Sequence, residues 1–226
     1  MFPPVEGADE YGVVCWGGQL SPATLTAAYH SGIFPWPHRG MPLLWFAPPQ
    51  RALLWCDELH VGSRLKRYLK KADFEIRFDT AFERVIEVCG EPRIVEGQLE
   101  RGSWINKAVR RAYVGLHRQG HAHSVEAWQN GELVGGLYGV SWGGYFAGES
   151  MFHHRDFASK ATVVALVEHL RARGAQWLDC EVMTPHFEAM GAREVPRAQF
   201  MRMLPGALSQ PVRLFDAPQT TAVAKS

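Results

Sequence analysis

This chain lacks the long apolar run, the lopsided charge and the paired cysteines that mark several large classes of protein. No apolar segment approaches the ~18 residues that a membrane-spanning helix needs. The opening "MFPPVEGADEYG" has neither the basic start nor the apolar core of an export leader. Lys plus Arg number 24 against 23 Asp plus Glu, a formal charge of +1, so no overall field draws the chain to a polyanion. Any nucleic-acid contact must come from a local patch. The four cysteines, Cys15, Cys56, Cys89 and Cys180, form neither a CxxC pair nor a disulfide framework, which fits a reducing compartment. Ten histidines include His121 with His123 and His153 with His154, but no HExxH or comparable ligand spacing accompanies them, so no metal is expected. No internal repeat divides the chain. Together these absences describe a soluble cytoplasmic protein with no membrane partner.

What is present is a globular composition of 226 residues, 12% aromatic with eight Trp, enough for one large domain or a domain plus a small lobe. The first ~50 residues, rich in Pro, Gly and Trp, read as a small irregular lobe with one helix. Ser21 is its N-cap, Pro22 its first residue and Gly32 lies beyond its end. From Arg51 onward regular periodicity sets in. "SRLKRYLKK" (63–71) puts Leu65, Tyr68 and Leu69 on one arc and Arg64, Lys66, Arg67, Lys70 and Lys71 on the other, a basic amphipathic helix. A second helix is expected from Trp104, capped by Ser103, to Gly120. Asn130-Gly131 inside an alternating stretch predicts a type I′ hairpin. A strand over 143–152 is expected to end near Glu149, and 158–174 reads as a helix with Val163, Val164, Leu166, Val167 and Leu170 inward. A strand over Trp177 to Val182 follows, then Thr184-Pro185 caps and opens a short helix. The order is α+β, helices on a largely antiparallel sheet.

The densest chemistry is "WLDCEVMTPH" (177–186). On a strand of period two, Asp179 and Glu181 share one face while Leu178, Cys180 and Val182 take the other. Cys180 is thereby turned away from the carboxylates and from His186, which argues for a buried structural thiol over a nucleophile. Spacing alone does not decide whether the carboxylates are catalytic or structural. Glu149 sits among glycines, aromatics and Met, where an ionised carboxylate needs a cation or several donors. An amine substrate would supply that cation, and so would an internal Arg or Lys. The basic helix is either a solvated surface or a phosphate contact. A pyrophosphate loop is not evident: the nearest match to the acyl-CoA motif, "RARGAQ" (171–176), lies at a helix C-terminus, which repels phosphate.

Several stretches in order, "GGQLSPATLTAAYHSGIFPW", "GSWINKAVRRAYVGLHRQGHAHSVEAW", "GELVGGLYGV", "FAGESMF", "ASK" and "LDCEV" followed by His and "GAREVPR", together resemble the leucyl/phenylalanyl-tRNA–protein transferases, from about residue 17 to 205. The resemblance implies a small N-terminal lobe (1–50) and an acetyltransferase-like (GNAT) catalytic domain (51–226) with a mostly antiparallel mixed sheet flanked by helices. It implies a monomeric aminoacyltransferase that moves Leu or Phe, sometimes Met, from aminoacyl-tRNA to the N-terminal amine of proteins beginning with Arg or Lys, marking them for N-degron proteolysis. No cofactor is implied, since an aminoacyl ester is already activated. In the family's pattern Glu149 would hold an amino group of the aminoacyl end, and Asp179 with Glu181 would handle the attacking amine. Tyr29, Trp36, Trp104 and Tyr113 would cradle the terminal adenosine and 3′ end; Leu137, Phe146, Val163 and Leu178 would line the pocket for the Leu or Phe side chain. Leu178 joins that pocket only if a bulge breaks the alternation that sets it opposite Asp179. Lys66, Arg67, Lys70 and Lys71 fall where the family has a basic helix for the acceptor stem.

Two departures accompany the resemblance. The family typically reads D-C-Q where this chain has Asp179-Cys180-Glu181, and a Glu can accept a proton where a Gln amide can only orient. The family's "WWSPDPR" is here "LWFAPPQR". A CoA-dependent N-acetyltransferase of similar fold and a non-catalytic tRNA-binding homologue are the alternative functions.

Overall fold

Local capping and turn chemistry set most element boundaries in the computed structural model, which describes residues 2–38, 40–95, 98–100 and 104–216, with backbone alone at 93–95 and 98–100. β1 (Val13–Trp16) precedes α1 (Pro22–His30), where the Ser21 hydroxyl accepts from the Thr24 amide at 3.1 Å and Pro22 opens the helix. β2 (Phe34–Pro35) and β3 (Leu44–Phe46) join β1 in a three-stranded antiparallel sheet, order β1-β3-β2. β4 (Gln50–Trp55) leads to α2 (Ser63–Leu69), the basic helix, with Leu65 buried and the five cations exposed. Then come β5 (Glu75–Phe78), α3 (Phe82–Cys89), the ribbon β6 (Arg93–Val95) with β7 (Gln98–Glu100), and α4 (Lys107–Arg118).

α4 begins later than expected. The Asn106 side-chain oxygen Oδ1 accepts from the amides of Ala108 and Val109 at 2.9 and 3.1 Å, a cap that outcompetes any start at Trp104; Ser103 lies outside the described residues. β8 (Ala122–Gln129) and β9 (Glu132–Trp142) form the expected hairpin, with Asn130 and Gly131 at φ 52° and 78°, the left-handed pair a type I′ turn requires. β10 (Tyr145–His153) does not end near Glu149. Gly148 pairs with Gly139 and Ser150 with Tyr138, so Glu149 is the extra residue of a bulge in a continuing strand. α5 (Ala158–Ala172), β11 (Trp177–Glu181), α6 (Pro185–Glu188), β12 (Arg193–Pro196) and α7 (Arg197–Leu208) complete the order. The Thr184 hydroxyl caps α6 by accepting from Phe187 N.

The large sheet runs β12-β4-β11-β10-β9-β8-β5, with every pairing antiparallel except β10 beside β11, which pair in parallel at Ala147 and Asp179. This is a mixed α+β architecture. Two buried apolar clusters occupy its two faces. One, continuous with α1 and the small sheet, holds Tyr29, Tyr113, Tyr138, Tyr145, Trp177 and Phe200. The other, under α5, holds Leu137, Phe146, Val163, Leu178 and Cys180. Each such Leu or Phe contributes about 1.5–3 kcal/mol on burial, so the sheet that carries the carboxylates is held from both sides. Gly139 permits the packing of Phe146, whose ring atoms would lie 2.5 Å from a Cβ placed there. Among the described residues no helix is long and apolar enough to cross a membrane.

Candidate active site

β11 alternates as its sequence predicts up to Asp179: Trp177 packs in the first cluster, Leu178 and Cys180 in the second. The register then slips. Asp179 pairs with Leu53 and Glu181 with Ala52, so the strand bulges at Cys180 and Glu181 adopts φ 61°. A non-glycine residue in that region costs on the order of 1–3 kcal/mol and persists only where its surroundings impose it. Here the Glu181 amide donates to Asp179 Oδ1 at 2.9 Å, which fixes the turn. The bulge falls after Asp179 and leaves Leu178 on the face opposite that carboxylate, but Leu137, Phe146 and Val163 lie in the same cluster, so Leu178 joins them without the break in alternation that was expected to be needed.

Asp179 is fully buried and saturated. Arg51, itself 1% exposed, donates from Nε to Oδ1 at 2.8 Å and from Nη2 to Oδ2 at 2.7 Å, and the Tyr145 hydroxyl donates to Oδ2 at 2.8 Å. The guanidinium lies between the rings of Phe34 and Phe200, 4.8 and 4.6 Å from their centroids, and reaches the Gly32 carbonyl at 3.4 Å. A bidentate, doubly stacked pair of this kind fixes geometry. Neither Arg51 nor Tyr145 was anticipated from the sequence. Arg51, a buried cation of the kind that could have served Glu149, binds Asp179 instead.

Glu149 is held by hydroxyls. Tyr29 donates to Oε1 at 2.5 Å and Tyr113 to Oε2 at 2.8 Å, with the two phenolic oxygens 2.5 Å apart. Burial, reinforced by the Glu149 charge, pushes both phenols well above their ordinary range, so they remain donors at neutral pH. Burial also pushes the Glu149 carboxyl up to about 7, against the pull of its two tyrosine hydrogen bonds. Glu181 too is raised well above the carboxylate range, first by burial and then by the Glu149 charge. Its Oε1 is enclosed and has no hydrogen-bond partner among the described residues. An unpartnered buried carboxylate oxygen beside a second carboxyl is a receptor for an ammonium or a proton.

The other expected site residues divide by burial. Tyr29 and Tyr113 are fully enclosed beneath Glu149, whereas Trp36 and Trp104 are half-buried at the margin of the first cluster, Trp36 against Phe34, Phe46 and His38. Leu137, Phe146, Val163 and Leu178 do converge, in the second cluster, where Leu214 and Phe215 from the far end of the chain join them unforeseen. Phe215 stands 5.4 Å from Phe146 and stacks on His123 at 4.1 Å. Cys180 is buried, and burial pushes its thiol well up, away from nucleophilic use. His186 is held neutral, its pKa lowered to about 4 by burial and by Lys160. Lys66, Arg67, Lys70 and Lys71 stand exposed along α2 and beyond its end.

The arrangement is that of an α+β protein with a tyrosine-held carboxyl and an unpartnered one beside it, a centre suited to substrates bearing amino groups. The family model for leucyl/phenylalanyl-tRNA protein transferase matches residues 53–205, and that of its N-terminal domain matches residues 18–49. Among curated relatives, the leucyl/phenylalanyl-tRNA–protein transferase of Myxococcus xanthus (strain DK1622) is 48% identical over 214 residues, 94% of this chain and 90% of that one. The enzyme of the same name from Aromatoleum aromaticum (strain DSM 19018 / LMG 30748 / EbN1) is 49% identical over 201 residues, 88% of this chain and 83% of that one. The chain belongs to the leucyl/phenylalanyl-tRNA–protein transferase family. Solved structures match more loosely. A conserved protein from Staphylococcus epidermidis ATCC 12228 reaches a TM-score of 0.41 at 11% identity, over 65% of this chain and 57% of its own, too loose to carry a fold assignment.

Proposed function

We propose that this protein is an aminoacyltransferase that moves Leu or Phe from aminoacyl-tRNA to the N-terminal amine of a protein beginning with Arg or Lys, and so marks that protein for N-degron proteolysis. One observation carries the mechanism: Glu149 is oriented by two hydroxyl donors while Glu181 next to it keeps an enclosed oxygen without a partner. Ionised Glu149 holds the α-ammonium of the aminoacyl end and so fixes the ester carbonyl. The acceptor's α-amino group, with an ordinary pKa of ~7.7–8.0, needs only a modest base. Its nitrogen forms the new C–N bond, its proton passes to the Glu181 carboxylate, and as the C–O bond to the tRNA ribose breaks Glu181 returns that proton to the ribose oxygen. Burial raises Glu181 toward the basicity that this transfer needs.

Asp179 acts here as a positioning residue. Its oxygens are occupied by Arg51, Tyr145 and the Glu181 amide, so it aims Glu181 and does not itself take the amine proton. Tyr29 and Tyr113 hold Glu149, while the half-buried Trp36 and Trp104 offer ring faces to the terminal adenosine, each stack contributing ~1–3 kcal/mol. Leu137, Phe146, Val163 and Leu178 belong to the apolar cluster that receives the Leu or Phe side chain, and α2 contacts the acceptor stem through Lys66, Arg67, Lys70 and Lys71. A lobe over 1–50, an acetyltransferase-like domain over 51–226, a monomeric state and a cytoplasmic location belong to the same reading.

Transfer of labelled Leu or Phe from tRNA onto an Arg-initiated peptide, abolished by RNase, is the deciding measurement. Acetyl transfer from acetyl-CoA in its place would overturn the proposal, and tight tRNA binding without product would reduce the protein to an RNA-binding homologue. In that assay a loss of ~10²–10⁴ in kcat for Glu181→Gln, the residue typical of the family, with the fold unchanged, would establish Glu181 as the base. A rate near the parent's would leave Glu181 only an orienting group.

A further inference from the structure

α2 is not the sole concentration of exposed positive charge among the described residues. A groove of about 740 Å³ between α3 and α4 is lined by five cations, Arg84 from α3 with Lys107, Arg110, Arg111 and Arg118 from α4, against two carboxylates, Glu83 and Glu87. That is an excess of three positive charges in a chain whose total is +1. The carboxylates are already divided: Glu87 serves Arg84 at 2.7 Å and Arg110 at 3.8 Å, and Glu83 serves Arg118 at 3.0 Å. Lys107 and Arg111 are exposed and have no carboxylate within 4.0 Å among the described residues. Exposed pairs of this kind hold weakly against solvent, so an incoming phosphate exchanges readily with them.

We propose that this groove is a second contact for the sugar-phosphate backbone of tRNA, separate from α2; the inference rests on the reading that aminoacyl-tRNA is the donor. Positions 107, 110, 111 and 118 fall on one side of α4 by the three- and four-residue spacing of a helix and span about 16 Å at 1.5 Å per residue. A line of cations matches a backbone better than it matches a compact acidic side-chain cluster, and the three arginine forks suit phosphate oxygens. The opposite side of the same helix buries Val109, Ala112 and Leu116 and delivers the Tyr113 hydroxyl to Glu149. Only the ~10–12 Å diameter of a helix therefore separates the stripe from the candidate centre. RNA whose 3′ end reaches Glu149 must leave the protein over neighbouring surface, and α4 offers a charged path.

The test is the double variant Lys107→Ala/Arg111→Ala, both side chains exposed, without a carboxylate partner among the described residues and outside the catalytic machinery. The expected result is tRNA binding weakened about tenfold near 0.1 M salt, with the log–log salt slope shallower by about 1–2, because two phosphate contacts are lost. KM for aminoacyl-tRNA should rise while kcat at saturation stays near the parent's. Lys107→Arg/Arg111→Lys, which keeps the charges, should bind as the parent does. Unchanged affinity and slope in the alanine variant, alongside normal binding and transfer by the parent, overturn the groove proposal alone, even if the variant loses an acidic protein partner. A parent that transfers nothing from tRNA overturns the functional reading instead.

Discussion

Two corners of the same centre treat a buried carboxylate in opposite ways. At Asp179 every acceptor site is filled, by a guanidinium, a phenol and a backbone amide. Two residues on, Glu181 has an enclosed oxygen with no partner and a neighbouring carboxyl that raises its pKa. Burial is common to both, and so burial does not separate structural from reactive carboxylates; the count of satisfied lone pairs does. The saturated corner is built for rigidity. The unsatisfied one stores a demand for a cation or a proton, and the rigid corner aims that demand.

The largest effect should come from breaking the saturated corner. Arg51→Met leaves Asp179 buried and unpaired, which costs about 3–5 kcal/mol; the midpoint of denaturant unfolding should fall accordingly, and an unchanged midpoint would mean that Asp179 finds another partner. Next, Glu149→Gln removes the charge that holds the donor's ammonium while keeping the shape, and kcat/KM should drop by about 10²–10³, the equivalent of ~3–4 kcal/mol. Near-parent kinetics would remove Glu149 from the centre.

Smaller again is Tyr29→Phe. A hydrogen bond to a charged group contributes about 1.5–3 kcal/mol, and losing this donor disfavours the ionised carboxylate, so the Glu149 pKa should move above about 7. Transfer needs the ionised form, so the acid limb of the rate profile should shift to higher pH. A profile that stays in place would show that the limb belongs to another group.

The smallest expected effect concerns stability. The folded-state pKa of Glu181 is raised, so its stabilising contribution is complete below the unfolded-state value and is lost as pH rises through the folded one. Glu181→Gln should therefore be more stable than the parent at pH 8, on the order of 1 kcal/mol or a few °C in Tm, with the gap closing as pH falls. Parallel melting curves across pH would place the missing partner in solvent.

What was legible from sequence follows the reach of each signal. The Ser21 cap, the Asn130-Gly131 turn, the Thr184-Pro185 start and the inward arc of α5 rest on contacts within a few residues, and the helices and hairpin they specify stand as expected. Alternation along β11 correctly put Cys180 in the core. The Arg51–Asp179 pair joins residues 128 apart, and nothing near Arg51 in "QRALLWC" names its partner. The available hint was that an Arg opening a strand with apolar residues on both faces must meet an acid if it is buried. The bulge at Glu149 escaped because it lies in the cross-strand register, Gly148 opposite Gly139 and Ser150 opposite Tyr138, which no local pattern announces. Family membership, by contrast, was readable because many weak local matches recur in one order over residues 18–49 and 53–205.

The stacking of Arg51 between Phe34 and Phe200 bears on how the protein is made. The guanidinium touches a segment synthesised early and a helix synthesised among the last described residues, and the Glu181 turn hangs from the carboxylate it grips. During translation, then, the centre cannot be completed until Phe200 has cleared the ribosomal tunnel. A nascent chain emerging beside pools of charged tRNA remains without its aimed carboxylate until α7 has emerged to supply Phe200.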